Sequence, residues 1–491
     1  MPDPIQDMPV EEFRRTAHEI VDWIADYLQD IRQYPVLPDV EPGDLIDALP
    51  ASGPERGEPM EIILKDFRTL VAPGITNWNH PRFLAWFANT GSAPGILGEM
   101  LAAALNVNGM LWKSSPAATE LEQVTLGWLR QWLGLPEQFF GIIYDTASTS
   151  SLHALVAARE LASPEARSQG TPQDLTLYVS EHAHNSIEKG ALTIGIGQRN
   201  VRHVPADGEF RMQPEVLASM IEEDRRSGKR PFCVVATVGT TSIASIDPVP
   251  EIAGIAERYG LWLHVDAAYG GSAALLPEMR YVLAGCEHAD SIVVNPHKWL
   301  LTPMDLSVFY TRRPEILRRA FALSAVYLDS ADGPRALNYS EYGVQLGRRF
   351  RALKLWFVLR YFGREGLAAI LRQHICLAEN FAEMIRGDAN FEIAAPVRFS
   401  LVCFRARRPD EFNRRLLERV NSSREVFLSG LVVNGRAVLR LAIGNIRTSR
   451  EDIERVWTLL CQTARELDSE INQLDGTQPD ISDSDRPDNR R

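Results

Sequence analysis

The chain has 491 residues, 45% hydrophobic and 24% charged, an ordinary balance for a globular protein long enough for more than one domain. A formal net charge of −12 argues against nucleic-acid binding through a basic surface. Five cysteines without a CxxC pair, no signal-peptide pattern at the start and no apolar run of membrane-spanning length predict a cytoplasmic protein with reduced thiols.

Residues 11–29 place Phe13, Ala17, Ile20, Val21, Ile24 and Leu28 on one face of a helix. A proline-rich connection follows, from Pro35 to Pro59. An amphipathic helix tethered in this way cannot bury its stripe alone, so it is expected to pack on another part of the chain or on a second subunit. From about 90 to 355, apolar runs at 141–144, 175–179, 232–236, 261–265, 291–294 and 306–310 read as strands. Helix formers fill the intervals, as at 151–160 and 249–259. This alternation predicts an α/β fold with a mostly parallel sheet covered on both faces. Beyond residue 356 come a long helix through 367–385, short strands at 391–393, 401–404 and 438–442, and helices near 409–421 and 450–467. The expected division is an N-terminal helical arm (1–88), a large α/β domain (89–355), a small α+β domain (356–475) and a disordered Asp-, Ser- and Pro-rich tail (476–491).

Chemistry concentrates at two strand ends. Lys298, in Asn295-Pro296-His297-Lys298-Trp299, follows the apolar run 292–294, and Asp266 closes the run 261–265. Ligands of open α/β sheets collect at the carboxyl ends of such strands. A buried lysine bears a desolvation cost and needs a reason to be there. A lysine and a carboxylate together suit pyridoxal 5′-phosphate (PLP): the amine holds the aldehyde as a Schiff base and the carboxylate pairs with the protonated pyridine nitrogen. Small residues after Asp266 (Ala267, Ala268, Gly270, Gly271) let a flat ligand approach the backbone. The hydroxyl-rich stretch Thr146-Ala147-Ser148-Thr149-Ser150-Ser151, before a helix expected to start near Leu152, suits a phosphate and equally suits plain helix capping. Asp145 beside a phosphate requires its side chain to point away. His184, after another strand, can stack on a pyridine ring, and Thr240-Thr241 can add a hydrogen bond near it. His182-x-His184 has no carboxylate or cysteine at useful spacing, so no metal is expected.

Taken together, residues 295–299, His264-Val265-Asp266-Ala267-Ala268-Tyr269 and Gly347-Arg348-Arg349-Phe350-Arg351, with Gly239-Thr240-Thr241 and residues 115–122, resemble the group II PLP-dependent decarboxylases. The nearest branch is the aromatic-L-amino-acid decarboxylases, and the resemblance runs from Phe13 to about residue 467. It implies PLP fold type I, with a mostly parallel seven-stranded sheet sandwiched by helices, and a homodimer with shared active sites whose N-terminal helices pack on the partner. It implies that Lys298 carries PLP as a covalent Schiff base, that Asp266 pairs with the ring nitrogen and that His184 stacks on the ring. Thr146, Ala147, Ser148, Asn295 and His297 would surround the cofactor, chiefly its phosphate, with Thr241 completing the ring contacts. Tyr327 occupies the place of a catalytic tyrosine on a mobile loop. The implied reaction turns an aromatic L-amino acid into its amine and CO₂.

Trp78, Trp86 and Phe87 keep the aromatic character of the family's substrate pocket, whereas Ala88-Asn89 stand where the branch usually has Pro-Thr. Asn108 and Met110, expected from the partner, replace apolar and aromatic residues, so a more polar or differently sized pocket is expected. An aromatic aldehyde synthase is the nearest alternative, but that group typically has phenylalanine at the place of Tyr327. Decarboxylation of histidine or diaminobutyrate is a second alternative. A non-catalytic scaffold is a third, opposed by the intact Lys298, Asp266, His184 and Tyr327.

Overall fold

The computed structural model describes residues 7–89, 91–323 and 335–475. The central sheet is built from β1 (Phe140–Tyr144), β2 (Leu175–Ser180), β3 (Val201–Val204), β4 (Arg230–Thr237), β5 (Trp262–Asp266), β6 (Ser291–Val294) and β7 (Ser307–Thr311). Its order is β1-β7-β6-β5-β4-β2-β3, and β7 alone runs antiparallel to its neighbours. β5, β6 and β7 are buried along their whole length, as continuous apolar runs between two helical layers require. β3 escapes the sequence pattern because Val201-Arg202-His203-Val204 is an edge strand with a polar middle.

A second, antiparallel sheet contains β8 (Phe391–Ile393), β9 (Leu401–Ala406), β10 (Ser429–Val433) and β11 (Arg436–Ala442) in the order β10-β11-β9-β8. β10 is absent from the sequence expectation, although its signal was present. Asn434-Gly435, both at positive φ (49° and 76°), make the two-residue turn that joins it to β11. The helix Arg351–Arg386 runs across residue 355, where the large and small domains were expected to meet, and carries a non-helical break at Gly363. The helix Val249–Tyr259 has the expected bounds. The helix after β1 spans Ala147–Ala162 and so begins five residues before Leu152. The early start puts Ala147 and Ser148 in its first turn. Among the described residues no helix is long and apolar enough to cross a membrane. The tail 476–491 lies outside the described residues.

Candidate active site

Parallel pairing of β5 with β6 sets Asp266, the last residue of one strand, beside the turn that follows the other. Two backbone bonds lock the strand ends together: Ala267 N donates to Val293 O at 3.1 Å and Asn295 N to Ala268 O at 3.0 Å. The Asp266 carboxylate is buried and accepts the Ala268 amide at 3.1 Å. Lys298 sits in the short helix Pro296–Trp299, and its Nζ lies 5.7 Å from the centre of the Phe87 ring. Burial pulls the Lys298 ammonium below the usual lysine range, Asp266 opposes that shift and Arg440 reinforces it. The site therefore eases formation of the neutral amine, which is the nucleophilic form.

Glycine makes the approach to Asp266 possible. A Cβ on Gly270 would lie 2.6 Å from Val238 O, and one on Gly239, at φ +89°, would lie 2.9 Å from Gly270 N. The loops after β4 and β5 interlock only because both positions lack a side chain. Thr240 is buried there and accepts Ser245 N at 2.9 Å, whereas Thr241 is exposed.

The first turn of the helix Ala147–Ala162 is an open set of backbone donors. Its N-cap, Thr146, makes no side-chain cap bond, so the capping alternative is not what the hydroxyl cluster does. Asp145 does not point away as the sequence reading required: its Oδ1 stays at the helix start, accepting Thr146 N at 2.5 Å and the Thr146 hydroxyl at 3.3 Å, while Oδ2 accepts the Gln345 amide at 3.3 Å. Ser150 and Ser151 face the sheet, bonding Ser307 Oγ at 2.8 Å and His264 Nε2 at 3.1 Å. Ser148 is exposed at the helix start. An anion is favoured at such an end.

Asn295 and His297 add a buried donor by hydrogen-bond logic. Leu306 N donates to His297 Nδ1 at 3.0 Å, and burial drives the His297 pKa down to about 4. The ring is therefore neutral with its proton on Nε2, 3.3 Å from the Asn295 amide. An N–H needs an oxygen opposite it, so the amide presents its carbonyl to His297. The other end of the amide, buried and without a protein partner among the described residues, is then an NH₂ group.

His184 caps the helix Asn185–Thr193, accepting Ser186 N on Nδ1 at 3.1 Å. Desolvation lowers its pKa, with Asp266 opposing and Lys298 assisting, which places the three groups in one electrostatic neighbourhood. The neutral ring carries its proton on Nε2, free of the capping role.

An aromatic wall completes this side. Phe87 stacks on Tyr269 at 3.6 Å and 14°, Tyr269 on Trp299 at 4.9 Å, and Trp78 on Trp86 at 5.6 Å. Asn89 donates to Met304 Sδ at 3.0 Å. Asn108 instead reaches Met110 Sδ at 3.3 Å and accepts Arg348 N at 2.9 Å, around the motif at 347–351. Tyr327 lies outside the described residues.

Sequence reasoning missed Arg440. This buried arginine of β11 lies 4.5 Å from the Phe87 ring and donates to Trp86 O at 2.7 Å and Ser242 O at 3.1 Å. Its Nη2 is buried without a protein partner among the described residues, and burial lowers its pKa to about 10. A lone charge inside the apolar run Val438-Leu439-Arg440-Leu441-Ala442 was the available signal.

A lysine of lowered basicity, a buried carboxylate, a neutral histidine, an uncapped helix start and a free amide NH₂ are the donor and acceptor set that PLP requires. The comparisons agree. Residues 42–407 match the family described as the pyridoxal-dependent decarboxylase conserved domain. The aromatic-L-amino-acid decarboxylase of Catharanthus roseus is 40% identical over 477 residues, covering 94% of this chain and 95% of that protein. The phenylacetaldehyde synthase of Petunia hybrida is 40% identical over 474 residues, covering 92% and 94%. A crystal structure of Oryza sativa TDC with PLP and tryptamine superposes with a TM-score of 0.91 at 37% identity, covering 94% of this chain and 99% of that one. The strand-end chemistry and the whole-length similarity agree, and the chain belongs to the pyridoxal-dependent decarboxylases, in their aromatic-L-amino-acid decarboxylase branch, as a PLP-dependent carboxy-lyase of fold type I.

Proposed function

We propose that this enzyme decarboxylates an aromatic L-amino acid of the tryptophan, phenylalanine, tyrosine or DOPA type, releasing the amine and CO₂. The observation that carries this reading is the stack of Phe87 on Tyr269 beside Lys298, with the Trp78–Trp86 stack adjoining it along the chain. A planar apolar side chain gains most from such a wall.

In this reading Lys298 would hold the cofactor through its amine and Asp266 would keep the pyridine nitrogen protonated. His184 would lie against the ring and offers a proton at Nε2. The first-turn amides at Ala147 and Ser148, with Thr146, Asn295 and His297, hold the phosphate, and Thr241 adds a ring contact. PLP, when bound, supplies an electron sink for the pair left behind as CO₂ departs. Tyr327 delivers the proton to Cα of the product. The N-terminal, large and small units are taken to divide near residues 88, 355 and 475, with the helix Arg351–Arg386 shared across the second boundary.

The same reading includes a homodimer, with Asn108 and Met110 serving the partner's pocket. Its support is unpartnered apolar surface. Val10 and Phe13 are 69% and 61% exposed on the helix Val10–Gln29, and Leu97 and Leu105 are 50% and 58% exposed on Ala93–Leu105. Light scattering should give twice the 55.0 kDa chain mass, and a fully active monomer contradicts the shared site. Five unpaired cysteines support a cytoplasmic location.

The test is product analysis. PLP-loaded protein is incubated in air with aromatic, histidine and diaminobutyrate substrates, and amine, aldehyde and peroxide are quantified. Amine from an aromatic acid is expected. Aldehyde with peroxide moves the enzyme to the aldehyde synthases, a reading kept open by the similarity to the Petunia hybrida protein. Replacing Tyr327 by phenylalanine should cut amine and raise aldehyde, and an unchanged amine yield contradicts its proton-donor role.

A further inference from the structure

Trp299, the residue after Lys298, anchors a buried polar relay. Its indole N–H donates to His374 Nδ1 at 3.1 Å, and His374 Nε2 lies 3.1 Å from Asn445 O. The Asn445 side chain then donates to the carbonyls of Asn79 at 2.8 Å and His80 at 3.3 Å. Trp299, His374, Asn445 and His80 are all buried. The relay therefore starts one residue from Lys298 and ends one residue from Trp78.

Two ring stacks flank the same two points. Trp299 stacks on Tyr269, Tyr269 on Phe87, and Trp86, adjacent to Phe87, on Trp78. The two ring stacks are joined along the chain at the Trp86–Phe87 peptide bond, and the polar relay joins their far ends.

The protonation state of His374 follows from its partners. An indole nitrogen only donates and a carbonyl oxygen only accepts, so Nδ1 is bare and Nε2 carries the proton. Burial lowers the pKa to about 4, which keeps the ring in that one form near neutrality. An apolar side chain would fill the same space without desolvating an imidazole. What it would not do is hold Trp299 and Asn445 at two fixed contact distances.

We propose that His374 is a positioning residue that fixes the spacing between Lys298 and the Trp78–Trp86 wall, and through it the affinity for the substrate ring. The proposal rests on the reading of that wall as the substrate surface.

The test uses the full-length, PLP-loaded enzyme and three variants, His374→Phe, His374→Gln and Asn445→Ser, with KM, kcat, PLP content and thermal stability measured on the best aromatic acid. His374→Phe removes both bonds and should raise KM about tenfold, with kcat within about threefold and PLP content unchanged. His374→Gln keeps an acceptor and a donor on one planar group and should restore KM to within about threefold of wild type. Asn445→Ser leaves the carbonyl that His374 meets but drops the tie to residues 79 and 80, and should raise KM like His374→Phe. A fall in stability with unchanged KM overturns the proposal, as does a glutamine variant no better than phenylalanine. If His374→Phe does not fold, Asn445→Ser decides alone. Absence of amine from every aromatic acid in the wild type removes the reading of the wall and this proposal with it. Amine formation with unshifted variant KM values removes this proposal only.

Discussion

Lys298 and Arg440 share one aromatic ring: Nζ lies 5.7 Å, and the guanidinium carbon 4.5 Å, from the centre of Phe87. Burial is the larger cause that disfavours charge on Lys298, the nearby Arg440 adds to it, and Asp266 is the counterweight. Electrostatic tuning of the reactive amine thus comes from both sheets, Asp266 on the first and Arg440 on the second.

Replacing Arg440 with methionine should therefore raise the Lys298 pKa. Uptake of PLP by the apo-protein requires the neutral amine, so its pH profile, followed by visible absorbance, should move to higher pH. An unmoved profile means that Arg440 does not tune the lysine.

Replacing Asp266 with asparagine keeps the shape and removes the charge. The expected loss in kcat is about 10²–10³-fold, the magnitude typical of a preorganised electrostatic partner, with PLP still bound. Single-turnover decarboxylation measures this directly, and a loss confined to KM contradicts the assignment.

Acid should unfold the protein early. His80, His153, His264, His297 and His374 are buried and each titrates near pH 4 in the fold. The unfolded chain takes up these protons near pH 6.5, so their stabilising effect is complete above that pH and is lost as pH falls towards 4. Each histidine adds a slope of up to ~1.4 kcal/mol per pH unit in that window. Asp247, raised by burial to about 6, works with the opposite sign, its contribution being lost as pH rises from 4 to 6. Denaturant unfolding at pH 7 and pH 5 should show the decline, and His153→Phe should flatten it by one histidine's share.

Glu122 and Arg348 form a buried ion pair at 2.8 Å that also clamps β1: Ile143 N donates to Glu122 at 2.9 Å and Arg348 donates to Ile143 O at 2.8 Å. Glu122→Ala strands the arginine charge and should cost about 3–5 kcal/mol by denaturant titration. A loss below 1 kcal/mol would show that water replaces the carboxylate.

The strand-end positions of Lys298 and Asp266, and the cofactor they suit, were legible in the sequence alone. Short apolar runs make buried strands wherever they occur, and the residue that ends each run is thereby placed. The sequence pattern places the start of the helix near Leu152, five residues after Ala147, because serine and threonine favour a cap over a helix interior, and here the cap stays open. β10 lies outside the sequence pattern because its pairing with β11 depends on the Asn434-Gly435 turn rather than on its own alternation. What only the tertiary structure decided is the company that Lys298 keeps. Phe87, Tyr269, Arg440 and His374 lie far apart along the chain and share no periodicity that could announce their meeting. They converge through the packing of two sheets and a long helix, and such contacts are set by the shapes of whole elements rather than by neighbouring residues.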